Sequence, residues 1–522
     1  MFYTPIIVVI YSLITAYSVI ETERRKSMDM QKEYSCLEKN CKIFTKVIDI
    51  EGDYQESLPA YLDDIYRVVK CTSNSYVTSA DISFNEVKIY GKCAIQITYY
   101  NEKSRLCFAD FEEDFSKVFT LDNLTESSFV RAVICDKYTN FRVINQRRID
   151  VRTMSVLNIS VYDRVKFPTV KSFDSAKLKT RSVATSDVAA SYIDKIDFDE
   201  EVTLPSDAAA IGRIISSSTY PTVTDVKVIK DKMLIKAELK TTILYTADDD
   251  DGGIEKASYS FSLSKIVDRS GLEDDDTVIA DVALGSVFFK IKGTAGEKVS
   301  VINIFGDIAL GLTVIRENTA ELVTDGYAAG RESTGEYTEF TASTDGRFVT
   351  ERKLVDVPLM LNGEITEIKE LGLKLKSPNY KKGAIHTTVD AVAIVSNDGG
   401  LSSVSASADV DIPAEKYDDA IVSLCIDDYD YTLAADGRID MRLNLEINAY
   451  YFNVSTIPVL ADITIGDEIK NNHALTVYFA KENEKVWDIA KSFLSDESKI
   501  IQDNALKSDT LDSSKVLIIP RA

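Results

Sequence analysis

Hydrophobic and polar residues alternate with a period of two along much of the chain. The stretch Val226–Tyr245 shows it best. Val226 and Val228 flank Lys227, and Lys230-Asp231-Lys232 marks a turn. Met233, Ile235, Ala237 and Leu239 then interleave with Leu234, Lys236, Glu238 and Lys240, and Ile243 and Tyr245 continue the period. Such alternation places one face in a core and the other in water, the pattern of antiparallel sheet. Asp248-Asp249-Asp250-Asp251-Gly252-Gly253 predicts a solvated hairpin turn. An EF-hand is excluded there, because Tyr259 stands where the loop's closing Glu is required.

Two stretches interrupt the pattern. Lys171–Ala190 is rich in Ser, Ala, Thr and Lys, and Glu317–Gly346 in Glu, Thr, Gly and Ser. Their composition predicts solvated connectors, with a long hairpin insertion as the alternative for the second.

The pattern also repeats. At an offset of 146 residues, Leu58-Pro59, Ile65, Arg67, Val77-Thr78, Ile89, Ile97 and Tyr99 recur as Leu204-Pro205, Ile211, Arg213, Val223-Thr224, Ile235, Ile243 and Tyr245. Arg148-Ile149-Asp150-Val151-Arg152 recurs as Arg438-Ile439-Asp440-Met441-Arg442. The economical reading is a mainly β chain of three tandem antiparallel β-sandwich or barrel-like repeats at 44–165, 193–316 and 347–462. Segments 166–192 and 317–346 link them. Short helices are expected after Leu58-Pro59 and Leu204-Pro205, and the third repeat is expected to enter at Val357-Pro358.

From Thr476 to Pro520 the pattern changes. Val477-Tyr478-Phe479 predicts a short strand and Glu482–Lys485 a turn. Val486, Ile489, Ala490 and Phe493 share one face of a helix, Ile500, Ile501 and Asn504 mark a second, and Lys515–Ile519 is a closing strand stopped by Pro520. Residues 470–522 therefore read as a small βααβ domain.

At the other end, Phe2–Ile20 carries no charged side chain and is marginally long enough to span a bilayer. No basic residue precedes it, unlike a secretory signal, and Arg24-Arg25-Lys26 follows it. A true anchor of this kind leaves the rest of the chain cytoplasmic. In the competing reading, Arg24-Arg25 is encoded AGG AGG, a bacterial ribosome-binding sequence, and Met28 is the start. Both readings make 1–43 an N-terminal segment and lead-in, place 28–522 in the cytoplasm, and expect membrane contact only if 2–20 is a genuine anchor.

Charge and composition narrow the function. The 522 residues hold 60 Lys+Arg against 83 Asp+Glu, a net charge of −23. That excludes a nucleic-acid binder, which needs clustered cations to neutralise phosphate, and adhesion to anionic lipid through a basic patch. The two histidines, His386 and His473, lie in no metal-binding spacing, and the chain lacks GxSxG, Walker A and GxGxxG motifs. The seven cysteines are odd in number and form no CxxC, which fits reduced thiols in a cytoplasm. A binding or structural protein is expected rather than an enzyme, with no catalytic residue, metal or cofactor to assign.

The residues Trp487, Ile489-Ala490, Asn504, Leu506, Leu511 and Leu517-Ile518-Ile519-Pro520 resemble a LysM module. Asn483-Glu484-Lys485 stands where that family has Gly-Asp-Thr, so the resemblance implies a module retuned toward protein. Its ordinary ligand would be an N-acetylglucosamine-containing glycan. The partner- or glycan-binding residues it implies are Asn483, Glu484, Lys485, Val486, Trp487, Asn504 and Leu506. The Leu-Pro entries, the long strands ending at Tyr99 and Tyr245 and the acidic Gly turn resemble the SPOCS domain. Three such repeats ahead of one LysM-like module resemble the SipL/SpoVID-like morphogenetic family of spore envelope assembly. The resemblance implies a non-enzymatic scaffold in the mother-cell cytoplasm, at the forespore surface. Its terminal module would link a basement-layer protein to spore coat proteins. The alternative is a membrane-anchored or exported LysM protein that binds peptidoglycan.

Overall fold

Period-two alternation becomes strand almost throughout. The computed structural model describes residues 32–521 apart from 206, 249–252, 293–300, 362–364, 398–399, 435–436 and 470–474. Residues 2–20, Met28, His473 and the centre of the acidic run lie outside the described residues. Within them the chain is mainly β, in antiparallel sheets, with two short helices near the C-terminus. Among the described residues no helix is long and apolar enough to cross a membrane.

The same pairing order recurs three times. In the first unit, β1 (Lys32–Ser57), β6 (Arg148–Phe173) and β5 (Phe129–Asn145) form one sheet, and β2 (Arg67–Ser83), β3 (Glu86–Tyr100) and β4 (Leu106–Thr120) another. In the second, β7 (Lys177–Thr203), β12 (Val301–Tyr327) and β11 (Thr277–Lys292) are followed in the same way by β8 (Ile211–Ile229), β9 (Lys232–Ala247) and β10 (Ile254–Asp268). The third pairs β13 (Arg331–Met360), β19 (Arg438–Glu468) and β18 (Asp419–Leu433). Its other sheet is β14 (Glu367–Leu375), β15 (Asn379–Lys381), β16 (Ala384–Asn397) and β17 (Gly400–Pro413). Each unit buries apolar side chains between its two sheets; in the second, Met233, Ile235, Leu239, Ile243 and Tyr245 of β9 meet Ile302, Ile304, Leu310 and Leu312 of β12.

The segments expected to be solvated connectors are strand. The boundaries at 44, 165, 193, 316, 347 and 462 fall inside β1, β6, β7, β12, β13 and β19. Beyond the units these long strands continue as three two-stranded ribbons, β1–β6, β7–β12 and β13–β19, which pack together into a stalk. Val183, Leu322, Phe340, Ala342, Ile457 and Val459 form one buried layer, and Val170, Phe173, Val323, Leu460 and Ile463 the next. The Ser/Thr/Ala composition that suggested a linker supplies the small side chains that let ribbons approach, and Thr185 and Ser186 are themselves buried. Lys39 reaches across to the Thr341 carbonyl at 3.0 Å and the Asp187 carboxylate at 3.3 Å.

The Leu-Pro entries are turns rather than helices. Leu62 N–H donates to the Pro59 carbonyl and Ala208 N–H to that of Pro205, but the backbone goes no further. Arg147 caps the first turn instead, donating to the carbonyls of Leu58, Pro59 and Leu62. The third unit does not enter at Val357-Pro358, which lies inside β13. Leu361 bonds Gly437 as Leu58 bonds Arg147, and is the corresponding residue.

Where the three units meet, one irregularity recurs. The ladder slips by one residue between Val68 and Lys70, between Ile214 and Ser216, and between Ile368 and Glu370. The bulge turns Lys70, Ser216 and Glu370 toward one another. Lys70 Nζ lies 3.1 Å from Ser216 Oγ and 3.1 Å from Glu370 Oε1, and Ser218 also donates to Glu370. Val69, Leu106, Ile215, Leu244, Ile394 and Leu401, drawn from all three units, cover this polar cluster with apolar side chains.

Candidate functional site

The C-terminal module begins with β20 (Leu475–Ala480), which pairs antiparallel with β21 (Lys515–Pro520). Between them lie α1 (Val486–Phe493) and α2 (Glu497–Asp503). Helix α1 carries Asp488 in its first turn and Lys491 in its last, both favourable to its dipole, and ends on Leu494 in the left-handed conformation. Helix α2 is capped by Asp496, whose carboxylate accepts from Ser498 N–H at 2.8 Å. The βααβ order read from the sequence is the order present.

The core of this module is not its own alone. Ala480, Val486, Ile489, Ala490, Ile500, Leu511, Leu517 and Ile519 pack with Trp487 and with Tyr327, the last residue of β12 on the stalk. The Tyr327 and Trp487 rings meet edge to face, centroids 5.0 Å apart, and Tyr327 Oη donates to the Ser495 carbonyl at 2.9 Å. Gly330, at a φ of 72° that favours glycine, donates its N–H to the Leu494 carbonyl at 2.8 Å. Lys177 pairs with Asp496 at 3.0 Å, and Lys179 Nζ sits 5.5 Å from the Trp487 ring centroid.

Asp325 is the hub of this contact. Its carboxylate accepts from Trp487 Nε1 at 2.8 Å, Lys491 Nζ at 2.6 Å and Tyr337 Oη at 2.8 Å. Burial alone would raise the Asp325 carboxyl; the hydrogen bonds from Lys491, Trp487 and Tyr337 outweigh it and hold it below the usual carboxylate value.

The seven residues expected to form a groove are shared among three tasks. Trp487 is buried against the stalk and Val486 in the module core. Asn483 and Val486 N–H groups donate to the Leu511 and Asp509 carbonyls, Leu511 N–H donates back to Glu484, and Lys485 bridges to Thr510, so the two loops are laced together. The Glu484 carboxylate accepts from Lys481 N–H at 3.1 Å. Asn504 is occupied by backbone: its amide donates to Ile500 and Ile518 carbonyls and accepts from Ile518 N–H at 2.7 Å. Leu506 packs half-buried on the core edge. Asp325, Tyr327, Lys177 and Lys179 were missed because they lie in stretches whose composition reads as solvent-facing.

Sequence reasoning also missed the outer face of the module's sheet. Leu475, Val477 and Phe479 on β20 and Val516 and Ile518 on β21 are all exposed, Phe479 to 75%. They alternate with the inward-facing Tyr478, Ala480, Leu517 and Ile519.

Elsewhere, a cavity of about 730 Å3 lies between the three units. Its Asp136 carboxylate accepts from Ser75 N–H at 3.1 Å, Ser155 Oγ at 2.7 Å and Lys374 Nζ, so that carboxylate is fully partnered. Burial pushes the Cys71 and Cys425 thiols up to about 12, which leaves them protonated and unreactive at neutral pH. His386 is a half-buried strand residue whose Nδ1 lies 2.6 Å from Asp411 Oδ1. Among the described residues no group of His, Cys, Asp and Glu is placed to hold a metal ion.

A family model described as SipL, SPOCS domain, matches residues 210–292, which span β8 to β11 of the second unit. Comparison with curated proteins and with solved structures gives no match. The SPOCS match makes this part of the chain similar to the SipL sporulation family and points to a sporulation-related protein of coat assembly.

Proposed function

We propose that the chain is a non-enzymatic scaffold of spore envelope assembly, acting in the mother-cell cytoplasm at the forespore surface. In this reading the three units are tandem SPOCS-like β-sandwich repeats that present surface to coat proteins. The terminal βααβ domain is a LysM-like module that docks on a basement-layer protein. One observation carries the reading: β13 runs for 30 residues from the third unit to the stalk tip where the module is anchored. The part beyond the unit's core, residues 331–346, spans on the order of 50 Å at roughly 3.3 Å per residue. A chain that holds one small module away from three larger units, through a paired ribbon rather than a flexible tether, is suited to joining two layers at a set spacing. The SPOCS match in the second unit supports the sporulation setting.

The glycan reading has less support, because Asn504 is committed to backbone and Trp487 to the stalk. A fluorescent fusion expressed in sporulating cells should ring the forespore. A fusion spread through the vegetative envelope overturns the scaffold reading and favours peptidoglycan binding.

A further inference from the structure

Among the described residues, the outer face of β20 and β21 has no partner. The register sets Val477 opposite Ile518 and Phe479 opposite Val516, so five apolar side chains form one contiguous surface. Leu475 is 57% exposed, Val477 52%, Phe479 75%, Val516 57% and Ile518 40%. Contiguous apolar surface of this kind on a soluble domain marks an interaction site, whereas apolar residues scattered singly mark nothing.

Area and charge say what covers it. A face of two strands and six residues offers a few hundred Å2, well below the ~800 Å2 per partner of a standard stable interface, so on its own it does not make a firm homodimer. Lys481 follows β20 and Arg521 follows β21, both exposed and without an ion pair among the described residues. A cation thus stands at each end of the apolar strip. A second copy laid on this face would set cation against cation in either direction. A segment with apolar side chains between carboxylates would meet both. The setting agrees: residues 475–521 hold seven Lys+Arg and eight Asp+Glu, in a chain whose net charge is −23. The tip, at a net charge of −1, therefore repels an acidic partner far less than the chain as a whole does.

We propose that this face, rather than the groove at 483–487 and 504–506, is where the module docks, and that its partner is a protein segment of apolar residues flanked by carboxylates. The inference rests on the scaffold reading and assigns the surface that performs it. Two full-length variants test it as fluorescent fusions in sporulating cells, beside the unaltered chain. Phe479→Glu/Ile518→Glu breaks the apolar strip without touching the core, at positions that are not directly opposite each other. Lys481→Glu/Arg521→Glu reverses the rim and leaves the strip intact. Both should melt at the unaltered midpoint; the first should lose the forespore ring at least tenfold and the second several-fold. If both variants ring the forespore as the parent does, the face is not the docking site and the scaffold reading stands. If the parent itself never rings the forespore, the scaffold reading falls and takes this inference with it. Sedimentation velocity and flotation on phosphatidylglycerol vesicles complete the test. Self-association or lipid binding that the first variant abolishes assigns the face to a second copy or to a membrane, and overturns the proposed partner.

Discussion

Lys70 and Glu370 stand at corresponding bulges of the first and third units and form a buried ion pair, Nζ to Oε1 3.1 Å. They are 300 residues apart in sequence, and the corresponding residue of the second unit, Ser216, accepts from the same lysine. Three equivalent positions thus carry a cation, a hydroxyl and an anion. Three identical units could not satisfy this junction, so the chemistry gives each unit its own place around it.

Removing one partner should expose that dependence. Lys70→Met leaves a buried carboxylate without its cation and should cost about 3–5 kcal/mol. Lys70→Met/Glu370→Met leaves no stranded charge and should recover most of the loss. Urea denaturation followed by circular dichroism measures both, and a double variant as unstable as the single one would falsify the account.

The clamp at Asp325 makes a pH-dependent prediction. A carboxyl held below its usual value stabilises the contact fully above the unfolded pKa of about 3.9, and that stabilisation is lost as pH falls through the lower folded value. Trp487 is the only tryptophan in the chain, so its emission reports the contact directly. Emission should hold steady from pH 7 to about 4 and shift red below that. Asp325→Asn should already be shifted at neutral pH; a variant spectrum identical to the parent's across the range would remove Asp325 from the role.

Tyr327 should behave as a core residue of a domain to which it does not belong in sequence. Tyr327→Ala opens a large cavity and should destabilise the module by about 3–5 kcal/mol. Tyr327→Phe loses only the bond to Ser495 and should cost about 1 kcal/mol. Limited proteolysis near Lys481 and Lys485, scored against the intact three-unit body, separates these outcomes. It follows that residues 475–522 excised from the stalk should not fold, and a well-dispersed NMR spectrum of that fragment would contradict this.

Glu56 gives a prediction of opposite sign. Burial raises its carboxyl to about 7, helped by the charge of Glu113 and a hydrogen bond between the two side chains. The folded state therefore holds a proton that the unfolded state releases near 4.3, and stability falls as pH rises from there through about 7. Glu56→Gln should raise the thermal midpoint at pH 8 and leave it little changed at pH 5.

Some of this was legible in the sequence. Period-two alternation at Met233–Tyr245 predicted a strand with one buried face, and β9 buries those residues. Arg148–Arg152 and Arg438–Arg442, matched as a repeat, open β6 and β19. The stalk was hidden because Val183 and Phe340 each stand among Ser, Thr and charged residues, so each buried position looked isolated. Its core exists only once three ribbons meet. The site was half legible: burial of Val486, Ile489 and Ala490 followed from helical spacing, whereas Phe493, placed on the same face, is exposed. Asp325, more than 160 residues upstream, carried no local signal. In β20 both faces are apolar, so periodicity could not tell the covered side from the bare one.

The long ladder of β13 and β19, bulged at three points, also has a mechanical consequence. Their register runs from Arg331–Glu468 at the tip to Met360–Arg438 at the far end. A pull between the tip and the third unit acts along the strands, so both backbones carry it side by side and the hydrogen bonds between them are not unzipped one at a time. Force applied at the tip would reach the third unit with little give.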